Sequence, residues 1–233
     1  MFNKTARFYD ALYSWKDYRG EIEKLLAIID RHVPKAGSLL DVACGTGKHL
    51  ELLRDRFDVE GVDLDPELLD IARARNRGLS LHLADMRELD LGRTFDVVMC
   101  LFSSIGYVGT KTGLERATAA LAAHVAPGGV LLIEPWFSPQ TFQPEGHIGW
   151  LAVDEPDLKI VRADLPREED GVSIIDFHYL IATHDGIDYV TERHELGLFT
   201  PQQHRAAITA AGLELREEDE FMGRGLYVAT RPR

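Results

Sequence analysis

Short apolar runs alternate with stretches of helical periodicity through the first 135 residues of the chain. Five of these runs have the length and composition of buried strands: Ser38–Ala43, Val59–Leu64, Leu79–Ala84, Phe95–Leu101 and Val130–Glu134. The segments between them carry helix start signals, an N-cap aspartate followed by proline at Asp65-Pro66 and a capping-box pattern from Thr112 to Glu115. Strands that alternate with helices predict right-handed crossovers and a doubly wound, mostly parallel sheet.

The pattern changes after residue 135. Residues 136–146 have the composition of a loop. Three further stretches alternate polar and apolar residues at period two, as half-buried strands do: 158–165, 172–183 and 187–198. Hairpin turns are expected at Glu168–Gly171 and at Asp185-Gly186. This region follows the fifth strand, where open α/β sheets bind ligands, so we interpret residues 136–198 as a β-rich insertion that forms a lid over a substrate, with dimerisation or simple extension of the sheet as the alternatives.

Helical periodicity returns towards the end of the chain. Thr200-Pro201-x-Gln203 is a second capped helix start, and the helix is expected to end at Ala211-Gly212. Two final strands, Leu213–Glu217 and Gly225–Thr230, would complete a seven-stranded sheet. The core domain is therefore assigned to residues 1–135 and 199–233.

Charge and composition narrow the class of protein. The chain has 26 basic and 38 acidic residues, a net charge of −12, and no basic patch, which argues against a nucleic-acid partner. No apolar run approaches the roughly 18 residues that span a bilayer, and the first residues lack the apolar region of a secretory signal. Cys44 and Cys100 cannot form a disulfide framework and do not cluster with histidines at zinc spacing. We expect a reduced, cytoplasmic protein without a metal site.

The strongest local signal is the sequence LLDVACGTG at residues 39–47, a strand that runs into a glycine turn before a helix. Gly45 and Gly47 allow the backbone to approach a ligand, and the helix start offers free N–H groups. Leu50 stands where the dinucleotide fingerprint has its third glycine. Asp41, near the strand end, would repel a pyrophosphate and attract an ammonium group. Both observations disfavour an NAD-dependent oxidoreductase.

Two further strand ends carry acidic residues. Asp63 ends the second strand, where a carboxylate can accept both hydroxyls of an adenosine ribose. Asp85 follows the third strand and can accept the adenine amine, with the N–H of Met86 beside it and Leu64 against the adenine face. A ligand with an amino-acid end, a ribose and no phosphate satisfies Asp41, Asp63 and Asp85 together. S-adenosylmethionine has this composition.

The run from Asp41 through Asp63 to Asp85 resembles the class I S-adenosylmethionine-dependent methyltransferases, which have a Rossmann-like sheet. More narrowly, the chain resembles the N,N-dimethyltransferases of nucleotide-linked amino sugars, of the desosamine and mycaminose type found on macrolide antibiotics. The matching pieces span nearly the whole chain in order: LLDVACGTG (39–47), ADMR (84–87), FSSIGY (102–107), HVAPGGV (124–130), EPW (134–136), FHYL (177–180), LFT (198–200), TAAGL (209–213) and GRGL (223–226).

The resemblance implies an N-methyltransferase that acts on the amino group of a thymidine-diphosphate-linked deoxyamino sugar, with two transfers in succession. Two alternatives stay open: another small-molecule amine or hydroxyl acceptor, and a non-catalytic S-adenosylmethionine-binding protein. The free edges of the predicted insertion strands are compatible with a homodimer.

Tyr107, in the loop after the fourth strand, is the principal active-site candidate, because the resemblance places it beside the acceptor amine. His178 is a candidate second proton acceptor. The resemblance also implies that the N-terminal segment folds over the cofactor, with the hydroxyls of Tyr9 and Tyr18 near its carboxylate. The expected cofactor-binding residues are Tyr9, Tyr18, Asp41, Ala43, Cys44, Gly45, Thr46, Gly47, Asp63, Leu64, Asp85, Met86 and Leu101.

Four residues are candidates for acceptor binding. Trp136 and Phe137 follow the fifth strand and could stack on a nucleobase or sugar, and Tyr179 lies in the strongest strand of the insertion. Arg224 resembles the arginine that contacts the diphosphate in the family, and a guanidinium fork suits that partner. The acidic run Glu217–Glu220, which precedes Arg224, departs from the family pattern and would repel a diphosphate.

Overall fold

The structure of the protein is a computed structural model that describes residues 5–219 and 221–233. Its main sheet has seven strands: β1 (Ser38–Val42), β2 (Asp58–Asp63), β3 (Ser80–Leu83), β4 (Phe95–Cys100), β5 (Val125–Ile133), β10 (Glu214–Asp219) and β11 (Leu226–Thr230). The spatial order is β10-β11-β5-β4-β1-β2-β3, with β1 to β5 parallel and the last two strands antiparallel to their neighbours. The chain thus reverses direction across the sheet between β1 and β4, which is where ligands bind in this architecture.

Helices cover both faces of the main sheet. Among the described residues, six are α-helices: α1 (Tyr9–Leu12), α2 (Tyr18–His32), α3 (Lys48–Leu53), α4 (Pro66–Arg75), α5 (Lys111–Ala123) and α6 (Pro201–Ala210). Short 3-10 turns occupy Ala6–Phe8 and Ser104–Val108. Two predicted starts are confirmed: Asp65 accepts bonds from two N–H groups of α4, and Thr200 and Gln203 form the reciprocal capping box of α6. In the described part of the chain, no helix has the length and apolar composition of a membrane span.

The predicted start of α5 at Thr112 is wrong. The helix begins at Lys111, and its N-cap is Thr110, whose side chain accepts a bond from the N–H of Gly113 at 3.0 Å. Gly109 has a φ of +72°, so the chain turns one residue before the cap. Thr112 therefore lies within the first helical turn.

The insertion forms a second, antiparallel sheet of four strands: β6 (Gly149–Glu155), β7 (Leu158–Glu169), β8 (Val172–Thr183) and β9 (Gly186–Gly197). The sequence predicted three of these strands and placed the turns between them. It missed β6, because the run from Trp150 to Val153 is continuously apolar and shows no alternation. Asp170 and Gly171 form the β7–β8 turn with positive φ angles of 50° and 77°.

An apolar core joins the second sheet to the N-terminal segment, which we define as residues 5–18. Phe8, Leu12 and Tyr13 from this segment pack against side chains of the inner face of the sheet, among them Phe177 and Tyr179. Thr5 is fixed to the same face, because its N–H and hydroxyl both donate to the carboxylate of Glu192, at 3.0 and 2.6 Å. The N-terminal segment is thus held between the second sheet and the carboxyl end of the main sheet.

Candidate functional site

A cavity of about 720 Å³ opens at the carboxyl ends of β1, β2 and β3. Three groups of residues line it: the strand ends, the segment Tyr107–Thr110 after β4, and Val172, Arg193 and Glu195 from the second sheet. We call it the main cavity. Its volume lies within the range of small-molecule sites.

A smaller recess adjoins the main cavity at the glycine turn. It is lined by residues of the N-terminal segment and of the turn, together with Leu101 and His49. Tyr9, Ala43, Gly45 and Ser104 border both spaces. The two spaces are therefore neighbouring parts of one site, with Tyr9 at the boundary.

The two glycines of the turn have different tasks. Gly45 has a φ of +55°, and a Cβ built on it would meet no atom within 4 Å, so its backbone faces open space in the site. Gly47 has a φ of +72°, but a Cβ there would meet Nδ2 of Asn76 at 2.4 Å. Asn76 also donates to the carbonyl of Gly47 at 2.9 Å. Gly45 thus suits ligand approach, whereas Gly47 is required for packing against α4.

Asp41 lies at the bottom of the recess and is only 1% exposed. Within residues 5–219 and 221–233, no hydrogen bond reaches its Oδ2 atom. Burial raises the pKa of Asp41 to about 7. A cationic donor stabilises the ionised form of such a buried carboxyl group, and the ammonium group of an amino-acid ligand is such a donor.

Asp63 is held in place at the end of β2. Its two carboxylate oxygens accept the N–H of Gly45 at 2.7 Å and the N–H of Asp65 at 2.9 Å. Burial raises the pKa of Asp63, while these hydrogen bonds oppose that shift. Each oxygen keeps further acceptor capacity towards the main cavity, which suits a ribose diol.

The residues that the sequence assigns to adenine binding, Leu64, Asp85 and Met86, all line the main cavity. Leu64 is 42% exposed and offers an apolar surface. Asp85 is bound by the guanidinium of Arg87, with Nε 3.0 Å from both carboxylate oxygens, and this bond lowers the pKa of Asp85. Asp85 therefore remains a carboxylate, and an adenine amine would share it with Arg87.

The recess also contains a charged cluster that the sequence did not predict. Lys16 forms an ion pair with buried Glu21, which in turn lies 2.9 Å from Nε2 of His49. The ammonium of Lys16 is 4.4 Å from the ring centre of Tyr18, and burial lowers the pKa of Lys16 to about 8. Tyr18, Cys44, Thr46 and Leu101 line the same recess, as expected from the sequence. Lys16 thus places an ammonium group, already paired with Glu21, at the wall of the recess.

Tyr107 borders the main cavity and is 38% exposed. Its hydroxyl lies 2.6 Å from Nδ1 of His194 on β9. Burial of the hydroxyl raises the pKa of Tyr107, so its phenol is protonated at neutral pH. His194 could not be predicted as a site residue, because only the packing of the second sheet brings it to Tyr107.

Other expected residues lie apart from both spaces. His178 is on the exposed outer face of the second sheet, where its Nδ1 lies 2.5 Å from the hydroxyl of Tyr189. Tyr179 points the opposite way and is fully buried in the core beneath the sheet. Neighbouring strand residues point to opposite faces, so His178 and Tyr179 cannot share one site.

Trp136, Phe137 and Arg224 are also absent from the lining of the main cavity and the recess. The indole of Trp136 donates to Ser173 at 2.7 Å, and Phe137 packs on the indole edge. Arg224 pairs with buried Glu134 at 2.8 Å. The side chains of the acidic run Glu217–Glu220 lie outside the described residues.

Comparisons with known proteins find methyltransferases. A methyltransferase domain model matches residues 39–129. The chain is 44% identical to dTDP-3-amino-3,6-dideoxy-alpha-D-glucopyranose N,N-dimethyltransferase from Streptomyces fradiae, over 96% of this chain and 89% of the relative. It is 37% identical to dTDP-3-amino-3,4,6-trideoxy-alpha-D-glucopyranose N,N-dimethyltransferase from Streptomyces venezuelae, over 96% of both chains.

Solved structures show the same fold. The crystal structure of Streptomyces venezuelae DesVI matches with a TM-score of 0.91 and 36% identity, over 98% of both chains. An amino pentose methyltransferase from Micromonospora echinaspora, solved with S-adenosylmethionine bound and involved in calicheamicin biosynthesis, matches with a TM-score of 0.87 and 40% identity, over 96% of both chains. The similarity covers the second sheet as well as the main sheet.

Proposed function

Because this chain belongs to the S-adenosylmethionine-dependent N,N-dimethyltransferases of dTDP-linked amino sugars, we propose that it methylates the amine of a nucleotide-linked deoxyamino sugar, twice in succession. The observation that carries the proposal is the shape of the site. A recess with the buried Asp41 carboxylate at its bottom adjoins a cavity large enough for a nucleoside and an acceptor, and Tyr9 borders both.

The residues present fit the cofactor. Asp41 would hold its ammonium group, Lys16 and the hydroxyls of Tyr9 and Tyr18 would face its carboxylate, and Asp63 would accept the ribose hydroxyls. S-adenosylmethionine supplies a methyl group attached to a sulfonium sulfur, and the leaving group is a neutral thioether.

The protein contributes orientation and exclusion of water. Well-aligned reactants gain effective molarities of roughly 10⁵–10⁸ M, so methyl transfer needs little bond-making chemistry from side chains. The acceptor amine must lose a proton before its lone pair can attack. Tyr107 borders the main cavity, and its hydroxyl would orient the amine. A monomethylated amine keeps a lone pair after losing a proton, so the same site would serve the second transfer.

We assign the insertion, residues 136–198, to acceptor binding. The core domain, residues 1–135 and 199–233, would bind the cofactor. Val172, Arg193 and Glu195 of the insertion line the main cavity opposite the cofactor residues. Arg193 is a better candidate for the diphosphate contact than Arg224, because only Arg193 borders the cavity. Each guanidinium is paired with a carboxylate, Arg193 with Asp176 at 2.6 Å and Arg224 with Glu134 at 2.8 Å.

A homodimer in the cytoplasm is the third part of the proposal. Both cysteines are unpaired thiols, which suits a reducing compartment. The outer face of the second sheet carries six apolar side chains, each more than half exposed: Trp150, Val161, Leu165, Leu180, Ile187 and Tyr189. An apolar face of this kind favours covering by a second copy.

The decisive experiment is incubation with labelled S-adenosylmethionine and a panel of thymidine-diphosphate amino sugars, followed by mass analysis of the products. We expect label in one of the sugars and a product with two added methyl groups. Label in another amine or hydroxyl acceptor, and in none of these sugars, would favour the broader methyltransferase alternative. Binding without turnover on any acceptor would favour a non-catalytic role.

A further inference from the structure

The acceptor amine needs a destination for its proton, and a chain of three side chains leads away from Tyr107. Tyr107 borders the main cavity, and its hydroxyl is 2.6 Å from Nδ1 of His194. Nε2 of His194 is 3.9 Å from a carboxylate oxygen of Glu192. We propose that His194, positioned by Glu192, receives the proton of the acceptor amine through the hydroxyl of Tyr107. This inference rests on the proposed function, because it concerns an amine bound beside Tyr107.

The second sheet builds this arrangement. Glu192 and His194 are two residues apart on β9, so both side chains point to the inner face, while Arg193 lies on the opposite face, where it borders the main cavity. His194 is 1% exposed, and its ring packs edge-on against Phe177 at 4.9 Å. The imidazole is therefore fixed in orientation with one nitrogen towards the active site and the other towards Glu192.

The charges suit proton transfer in this direction. Burial lowers the pKa of His194, so its imidazole is neutral at neutral pH and has a free lone pair, while the charge of Glu192 acts in the opposite direction and strengthens the imidazole as a base. The groups that face it are Tyr107 from the loop after β4, Glu192 on its own strand and Arg162 on β7. The Glu192 carboxylate also accepts two hydrogen bonds from Thr5, which hold it next to the ring. This carboxylate would stabilise the imidazolium that forms.

The step balances as follows. The bound ammonium passes one proton to the oxygen of Tyr107, while the original hydroxyl proton of Tyr107 moves to Nδ1 of His194. The freed nitrogen lone pair forms the new N–C bond, the C–S bond breaks, and its electron pair remains on sulfur as a neutral thioether. His194 returns its proton to solvent after the product leaves. In this proton path, which we call the relay, Tyr107 touches the substrate, and His194 and Glu192 act through it.

The test is His194→Asn, which keeps a hydrogen-bond acceptor near Nδ1 but cannot take up a proton. We expect kcat near pH 7 to fall by about 100-fold, the lower end of what positioned proton transfer contributes. The loss should shrink to about tenfold or less near pH 9, because the amine then loses its proton to water unaided. The affinity for S-adenosylhomocysteine should be unchanged.

His204→Asn is the matched control. His204 is also nearly fully buried, but it lies on α6 and stacks on Tyr227, outside the lining of either space in the described structure. It should lose stability without the pH-dependent loss of kcat. A His194→Asn variant that retains kcat, or whose kcat falls by the same factor at every pH, overturns the relay.

A second measurement does not depend on turnover or on folding of the His194 variant. The titration of His194 can be followed by NMR in the natural protein and in Tyr107→Phe. A hydroxyl that donates to Nδ1 stabilises the neutral ring, so its removal should raise the pKa of His194. An unchanged titration curve contradicts the relay. Absence of methyl transfer to amino sugars by the natural protein contradicts the proposed function and leaves this measurement intact.

Discussion

Asp41 is buried beneath the recess, and burial raises its pKa to about 7, well above the ordinary value of 3.8. Because the folded-state pKa is the higher one, the folded protein binds this proton more tightly than the unfolded chain does. The contribution of Asp41 to stability is therefore favourable at low pH and is lost as the pH rises from about 4 to about 7. A bound ammonium group reverses this effect by stabilising the carboxylate.

The variant Asp41→Asn separates binding from stability. Without a cofactor, its melting temperature at neutral pH should exceed that of the natural protein, because no buried carboxylate has to ionise. Its affinity for S-adenosylhomocysteine should fall by about 100-fold, since removal of one partner from a buried charge pair costs about 2–5 kcal/mol. Thermal melts and calorimetry measure the two quantities.

The pH dependence of binding provides the control. In the natural protein the affinity should weaken as the pH falls below about 7, where Asp41 becomes protonated. In Asp41→Asn this dependence should be absent, while Asp188→Asn, an exposed residue of β9, should behave as the natural protein does. Equal affinities for the natural protein and Asp41→Asn would contradict the assignment of Asp41 to the ammonium group.

The location of a side chain in the fold could be predicted from the sequence where its place at a strand end determines that location. Asp41, Asp63 and Asp85 are at strand ends, and parallel strands bring their ends together, so the pattern alone places them at one site. Histidine shows the opposite case. His178 and His194 both belong to the insertion, but the register of β8 and β9 turns His178 outward and His194 inward. That register depends on tertiary packing, which spacing along the chain does not encode.

At the level of elements, the sequence predicts the caps of α4 and α6 correctly, at Asp65 and Thr200, and the cap of α5 wrongly. Thr110 and Thr112 both precede favourable helical sequence, and the capping-box pattern favoured Thr112. The positive φ of Gly109 ends the preceding loop earlier, which makes Thr110 the cap. Strand β6 was not predicted, because its outward side chains between Trp150 and Val153 are as apolar as its inward ones and the sequence therefore shows no alternation.

The two threonines provide a direct test of the cap. Thr110→Ala removes the acceptor for the N–H of Gly113 and should destabilise the protein by about 1 kcal/mol. Thr112→Ala replaces an exposed residue inside the helix with a better helix former and should be neutral or slightly stabilising. Chemical denaturation measures both. A larger loss of stability for Thr112→Ala than for Thr110→Ala would contradict the assignment of Thr110 as the N-cap of α5.

On the scale of the whole molecule, the fold prediction is confirmed: a seven-stranded, mostly parallel sheet is followed after its fifth strand by an antiparallel sheet. The homodimer is a prediction, and the outer face of the second sheet provides the place to test it. Leu180→Glu places a charge within the apolar outer face of the second sheet and should weaken dimerisation at least about tenfold, or about 1.4 kcal/mol. Lys111→Glu on α5 should leave it unchanged. A natural protein that sediments as a monomer at every concentration contradicts the dimer.

The N-terminal segment borders the recess, and the second sheet borders the main cavity, yet the two share one apolar core through Phe8, Leu12 and Tyr13. We expect renewal of the spent cofactor between the two transfers to involve movement of Tyr9, which borders both spaces. Because core residues of the same segment are packed on the second sheet, that movement would loosen the acceptor side as well. Dimethylation should accordingly be distributive: early in a time course, most of the singly methylated sugar should be free in solution, and an added competitor sugar should trap the reaction at that stage.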